Sequence, residues 1–448
     1  MTIQVSTVSD VKTTNGKGSD RAAYLMELLD LCPQLDRPAA RLQEIRDRAA
    51  ARVQELAIPS TKDEEWRFTD LSPLLQTHFQ AAQPQPSAIS PTEIAAFIFP
   101  EPAYRFVFID GTFAPSLSNA PVISTCLIAG NLDAVQQSSL RDRLPDYLAK
   151  QQGADEVFTA LNSASLRDVA IACVPKNQTP EVPIHLLFIS TTAEQAFISH
   201  PRALVMAEPN SRLTLIEDYV SLGEGVYFTN SVTEIWVEAS AEVHHTRIQR
   251  DAEAAFHIGK TAVSQARDSR YTCNAISYGA RLSRHHLEIY QTGEQTETTL
   301  NGLTLIAGEQ VADTHSAIAF TKPYGTSHQI HKCIVDDRAH AVFNGKIFVP
   351  KPAQLTNAGQ VSRTLLLSPK ARVDTKPQLE ITADNVKCAH GATVSQLEND
   401  EVFYLQSRGI DAETARRLLT YAFAYDVIRE IPVPSLQDTL TQFVREHF

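Results

Sequence analysis

The feature that most constrains this chain is a short phrase, a turn followed by a β-like run, that returns through its second half. It reads Pro209-Asn-Ser-Arg-Leu213, Ala239-Ser-Ala-Glu-Val243, Asp337-Arg-Ala-His-Ala-Val342 and Pro369-Lys-Ala-Arg-Val373. Leu213 and Val243 stand 30 residues apart, Val342 and Val373 31 apart. A β-solenoid repeats in this way because each coil buries its face on the next. A large β-sandwich with short, regularly punctuated strands is the alternative. The near-constant spacing favours the solenoid. Further β-like runs are Arg105-Phe-Val-Phe-Ile-Asp110, Pro183-Ile-His-Leu-Leu-Phe-Ile-Ser190 and Val232-Thr-Glu-Ile-Trp-Val-Glu238.

Helical patterns flank this region. Asp20 to Leu31 and Ala39 to Ala57 read as helices, the second with Leu42, Ile45, Ala49, Val53 and Leu56 on one stripe. Pro33 and Pro59 punctuate them, and the proline-bearing stretch Ala81 to Pro102 reads as a linker. A helical insert is expected over Leu132–Ala164, broken at Pro145 and Gly153. Near the C-terminus Asp411 is a natural N-cap for a helix running to Ile428, with Gly409 before it and Pro432 and Pro434 after it. Ala415, Leu418, Leu419, Ala422 and Val427 can share an apolar face, enlarged by Tyr421, Phe423 and Tyr425. Such a helix either packs within the chain or docks a partner.

Composition excludes several classes. At 448 residues, 43% hydrophobic and 21% charged, the chain can bury a core, and its length suggests several units unless an elongated repeat joins them. A net charge of −12 argues against a nucleic-acid partner, which needs a surplus of Lys and Arg. No apolar run approaches the roughly 20 residues that span a bilayer. Met1 to Asp20 is polar, without the apolar stretch of a secretory signal, and reads as a disordered leader. The cytoplasm is then the expected compartment, in keeping with six cysteines that form no C-x-x-C pair.

No phosphate-cradling loop is present. Asn344-Gly345-Lys346 is an isolated turn, and no G-x-G-x-x-G or G-x-S-x-G occurs. His244-His245, His285-His286 and His328-x-x-His331-x-Cys333 fall in the β region. Strand alternation puts His331 and Cys333 on one face and His328 on the other, so that trio is no ready-made site. In Val386-Lys-Cys-Ala-His-Gly391, by contrast, Cys388 and His390 share a face about 6.6 Å apart at Cα. Thiolate and imidazole together suit zinc or iron–sulfur chemistry, but a tetrahedral metal wants four ligands. Two must come from elsewhere. A Cys–His nucleophile pair is the weaker reading, because no Asn or Asp is placed to orient the base. The bland reading is inert packing.

Three segments carry a family resemblance. Val373-Asp-Thr-Lys-Pro-Gln-Leu-Glu-Ile381, Val386-Lys-Cys-Ala-His-Gly-Ala-Thr393 and Phe403-Tyr-Leu-Gln-Ser-Arg-Gly-Ile410 resemble the C-terminal signature of the SufB/SufD family of iron–sulfur cluster assembly scaffolds. Asp336-Asp337, Ala341-Val-Phe-Asn-Gly-Lys-Ile347 and Glu64-Glu-Trp-Arg-Phe-Thr69 fit the same pattern. Where the SufB branch tends to carry Glu-His-Glu-Ala, this chain has Cys388-Ala-His-Gly-Ala392, which resembles the SufD branch.

The resemblance implies a mainly β chain, a right-handed parallel β-helix with helical domains at both ends. Its divisions would be a leader over 1–18, a helical domain and linker over 19–102, the β-helix over 103–395, and a C-terminal helical domain over 396–448. It also implies a non-catalytic scaffold paired with SufB through terminal strands and with the ABC-type ATPase SufC through Leu418, Leu419, Ala422, Phe423 and Tyr425. A homodimer in isolation is compatible with it. No cofactor would be bound permanently. Transient iron or a nascent cluster would sit at the SufB–SufD interface, with His390 the favoured metal ligand and Cys388 the second candidate. The compartment would be the cytoplasm, or the plastid stroma in a photosynthetic eukaryote. A polysaccharide-acting β-helix enzyme is the competing class, but neither paired carboxylates nor an export signal is legible.

Overall fold

The computed structural model describes residues 17–33, 40–102, 104–192 and 194–448. Most of the leader therefore lies outside the described residues, and the first helix runs Lys17–Asp30. The fold is mainly β, a solenoid of about eight turns with helices at both ends. Among the described residues its strands form one sheet of 12 and one of 10, joined almost throughout by parallel pairing of each strand to the strand one coil away. Each coil gives one ten- or eleven-residue strand to each sheet, from Arg212–Ser221 and Tyr227–Val237 to Arg372–Ile381 and Lys387–Gln396.

The recurring phrase marks the corners of these coils. Leu213 and Val243 pair in register on the 10-stranded sheet. The second pair of phrases belongs to the other sheet, where Val373 stands beside Ala341, one residue before Val342. Two corner families exist because a coil turns twice, and a bare sequence period does not separate them. At one corner of successive coils, Asn210, Ser240, Asp268, Gln295, Tyr324 and Leu355 all take positive φ, between 57° and 64°. Non-glycine residues are strained there. Each one donates its amide to the next coil, as Ser240 does to Arg267 O at 2.9 Å and Leu355 to Asn385 O at 2.7 Å. Those inter-coil bonds offset the strain and let a chain with only 17 glycines build the corners.

Inside the solenoid, apolar rows such as Val205, Ile235, Val263, Ile289, Ile318 and Ile347 stack from coil to coil. The outer face of the 12-stranded sheet carries the N-terminal elements. Glu64-Glu-Trp-Arg-Phe-Thr69 is the strap that fastens them: Lys376 Nζ reaches Glu64 Oε1 at 2.6 Å, His315 Nδ1 lies 3.2 Å from Glu65 Oε2, and Thr69 donates to Asp313. The Arg284 guanidinium covers the Trp66 ring at 3.9 Å, an attraction to the ring's negative face.

The Leu132–Ala164 region holds three short helices, Leu132–Val135, Leu144–Tyr147 and Val157–Ala164. Gly153 falls in the gap before the last, as expected, but Pro145 does not break a helix: it sits in the first turn of Leu144–Tyr147, where its missing N–H is not needed. The proline-bearing stretch up to Pro102 is pinned in place. Gln80–Ala81 pairs with Phe197–Ser199, Phe99 is buried, and Glu101 accepts from Ser435 N at 2.7 Å. That last bond ties it to the C-terminal helices Asn399–Gln406, Ala412–Ile428 and Pro434–His447. The last two pack Ala424, Val427, Ile428, Leu436, Leu440 and Val444 on an apolar patch of the outer face of the 10-stranded sheet that includes Ile248, Ile276, Leu303 and Ile334.

Candidate functional site

Cys388 and His390 lie on Lys387–Gln396, the last strand of the 10-stranded sheet. This strand pairs on one side with Asn357–Leu366, placing Cys388 above Ala358 and His390 above Gln360. Ala358 and Gln360 are both buried inside the solenoid, so the two candidate ligands share the inner face, as the alternation predicts. Among the described residues nothing pairs with the other edge of this strand, nor with that of Arg372–Ile381 in the second sheet. Cys388 and His390 therefore stand at the open end of a β-helix.

The two groups differ. Cys388 is half-buried against the core, and burial pushes its thiol up despite a backbone hydrogen bond involving Ala358 that lowers it. His390 is exposed. A metal at the open end would find an accessible imidazole and a thiol that burial keeps protonated. Two donors leave a four-coordinate site half complete.

The other histidines sort by face. His328 is exposed, while His331 and Cys333 are buried on the inner face, as expected. His331 stacks on Phe343 with centroids 4.6 Å apart and bonds Thr304 Oγ1 at 3.2 Å, and burial lowers its pKa to about 3. The Cys333 thiol is pushed up to about 12 by burial. Both groups are enclosed in the packed interior, away from solvent. His245 is buried between Glu217 Oε2 at 2.8 Å and Tyr271 OH at 3.0 Å. Its neighbour His244 bonds Glu242 on the outer side at 2.7 Å. His285 bonds Thr261 Oγ1 at 3.0 Å inside.

One cluster escaped the sequence reading. Glu156, His286 and Glu288 are, among the described residues, a trio close enough to hold an ion. The buried ammonium of Lys260 already lies between the carboxylates, 2.8 Å from Glu156 Oε1 and 2.6 Å from Glu288 Oε2. This is an ion-pair knot fixing the 132–164 region to the sheet. No spacing in the sequence announces it, because Glu156 and Lys260 are 104 residues apart.

The C-terminal docking candidates separate into two sides. Leu418 (39% exposed), Ala422 and Tyr425 (40% exposed) lie at i, i+4, i+7 and face outward from Ala412–Ile428. Leu419 is half-buried. Phe423 is half-buried under the Lys332 ammonium, which sits 4.4 Å from its ring and bonds Phe423 O at 2.8 Å and Asp426 Oδ2 at 2.7 Å. The expected single apolar face is thus divided, with Ala415 and Val427 buried inward. Phe403 (69%) and Tyr404 (58%), on the preceding helix, are the most exposed aromatics, and sequence reasoning did not single them out as contacts. Their i, i+1 spacing carries no face signal.

Comparison with known proteins identifies the family. Residues 188–423 match the family model of the SUF system FeS cluster assembly SufBD core domain, and residues 35–186 that of the SufBD protein N-terminal region. An iron–sulfur cluster assembly SufBD family protein of Synechocystis sp. is 46% identical, covering 89% of each chain. The chloroplastic protein ABCI7 of Arabidopsis thaliana is 35% identical over 95% of this chain and 89% of its own. The iron–sulfur cluster assembly protein SufD of Escherichia coli is 32% identical over 83% of this chain and 84% of its own. The chain belongs to the SufBD family of iron–sulfur cluster assembly proteins, on its SufD side. Its role is that of a scaffold in cluster assembly.

Proposed function

We propose that this chain is the non-catalytic SufD-type half of a cluster-assembly scaffold, joined to a SufB-type subunit across the open end of its β-helix. On this reading the cargo, transient iron or a nascent cluster, is held at that junction by His390, with Cys388 beside it and the remaining ligands supplied by the partner. The observation that carries the reading is the juxtaposition at one end: an imidazole and a thiol projecting inward beside two unpaired ten-residue edges. Unpaired edges invite strand addition from another chain. The accessible imidazole and the burial-raised thiol support His390 as the principal ligand. The outward row Leu418, Ala422, Tyr425 is the surface offered to the ABC-type ATPase SufC, which would supply the ATP hydrolysis. In isolation the same open end suits a second copy of the chain. The compartment would be cytoplasm or, as for the relative named chloroplastic, a plastid.

His390→Ala, made in the reconstituted complex, tests the ligand. Assembly with the SufB-type and ATPase subunits should persist, and the visible absorbance of the cluster should fall to background. Cluster at wild-type yield would overturn the assignment.

A further inference from the structure

Three buried side-chain polar atoms of the coil next to the open end have no hydrogen-bond partner among the described residues: Asn344 Oδ1, Thr364 Oγ1 and the carbonyl oxygen, Oε1, of Gln360, which stands beside the candidate site. Gln360 is 1% exposed and stands in register with His390 on the neighbouring strand. Its other terminus is committed. Gln360 Nε2 donates to Gln329 Oε1 at 2.8 Å, and Gln329 Nε2 donates to Ser316 Oγ at 2.7 Å. Across the lumen, Gly345 makes room for this amide, since a Cβ there would fall 1.7 Å from Gln360 Nε2. Gly345, which lies within the strand His340–Val349, is thus a packing requirement of the inner face rather than part of a turn.

The two ends of a planar amide diverge. With Nε2 turned to the coil before, Oε1 is turned to the coil after. That coil offers two inner-face neighbours: His390 beside Gln360, and Pro377 beside Gly345. Proline has no N–H to give. Of these two the imidazole alone carries a donor, and the nearby Thr375 hydroxyl already donates to Ser362 Oγ.

We propose that Gln360 is a positioning residue for His390: its Oε1 accepts a hydrogen bond from one ring N–H, fixing the tautomer and aiming the other, unprotonated nitrogen at the open end. Ligating histidines are commonly oriented in this way by a carbonyl or carboxylate behind them. The purpose of the contact rests on His390 being a cargo ligand, but the contact itself can be measured without iron.

The measurement is the nitrogen-15 chemical shift of the His390 ring, in the full chain labelled at histidine and held above the range where imidazole titrates. His390→Gln identifies the signal by its loss. The wild-type ring should show one dominant tautomer. Gln360→Met, close in length but without the acceptor, should shift the tautomer ratio by roughly fivefold, the effect of one net hydrogen bond. Gln360→Glu keeps an acceptor and should retain the preference. Gln329→Met breaks the same ladder from the other side and should leave the ratio unchanged. An unaltered ratio in Gln360→Met overturns the proposal. So does a wild-type ring with the tautomer mixture of free histidine, whether or not any variant folds. Either outcome leaves the His390→Ala result standing, and loss of the ligand role leaves the tautomer result standing.

Discussion

At the scale of single residues, the solenoid is unusual for the charge it keeps inside. Glu217 and His245 are both buried, bonded at 2.8 Å, and joined by Thr233 Oγ1 at 2.6 Å from Glu217 Oε1. Burial opposes both charges, yet it is outweighed: Cys273 and Glu217 lift the imidazole, while His245, the Arg247 guanidinium and the Thr233 hydroxyl hold the carboxyl down. The Glu217 carboxyl is held down to about 2 and the His245 imidazole is lifted to about 9. The sign follows for each. Glu217 stabilises the fold above its ordinary 4.5, and this is lost as pH falls toward 2. His245 stabilises it fully below its ordinary 6.5, and this is lost as pH rises toward 9. The pair therefore contributes most between those two ordinary values. Chemical denaturation at pH 6 and pH 9 should show a loss on the order of 2 kcal/mol, from a shift of this size at about 1.4 kcal/mol per pH unit. His245→Gln should remove most of that difference. An equal slope in the variant would assign the pH dependence to other groups. None of this is legible in His244-His245 as a string, since the partner of His245 lies one coil away.

At the scale of elements, Ala412–Ile428 is the instructive case. Its start was written in the sequence: Asp411 Oδ1 accepts from Thr414 N at 3.0 Å, as an N-cap should, and Gly409 takes the positive φ of 87° that precedes it. Its two apolar sides were not separable, because a helix apolar around most of its circumference has no single face to read. Packing chose. Ala424, Val427 and Ile428 went to the sheet, while Leu418, Ala422 and Tyr425 were left outward. Removing the helix would uncover the outer apolar patch that includes Ile248, Ile276, Leu303 and Ile334, so truncation is a poor probe of docking. Leu418→Asp combined with Tyr425→Asp alters the outward side alone. The double variant should keep the wild-type thermal midpoint to within about 2 °C, since exposed substitutions are usually near neutral. It should lose the ATPase subunit in a pull-down while retaining the SufB-type partner. Retained ATPase would move the docking surface elsewhere, with Phe403 and Tyr404 the next residues to change.

At the scale of the whole molecule, the solenoid is open at its C-terminal end among the described residues, and its last strand fixes what a partner can bond. Lys387 N donates inward to Thr356 O, so by parallel-strand alternation Cys388, His390, Ala392 and Val394 point their amides outward. Ala392→Pro deletes one outward donor and leaves the inward ladder whole, a substitution that edge strands tolerate. The variant should fold, by far-ultraviolet circular dichroism, and bind the SufB-type subunit at least about tenfold more weakly through the lost bond and altered edge. Binding at wild-type affinity would place the interface away from this edge.

The coil period, the flanking helices, the Asp411 cap and the shared face of Cys388 and His390 are local facts, and the sequence alone determined them. Each depends on residues a few positions apart, or on a repeat that returns every coil. What only the tertiary structure decided joins residues that are neighbours in space but distant along the chain. The Lys260 knot, the Glu64–Thr69 strap and the division of the C-terminal helix belong here. So does the Gln360 amide beside His390, 30 residues away in sequence and in register on adjacent strands. Stacking sets these contacts, because a solenoid's neighbours are fixed by the exact length of each coil, and single-residue differences between coils are invisible until the strands are in register.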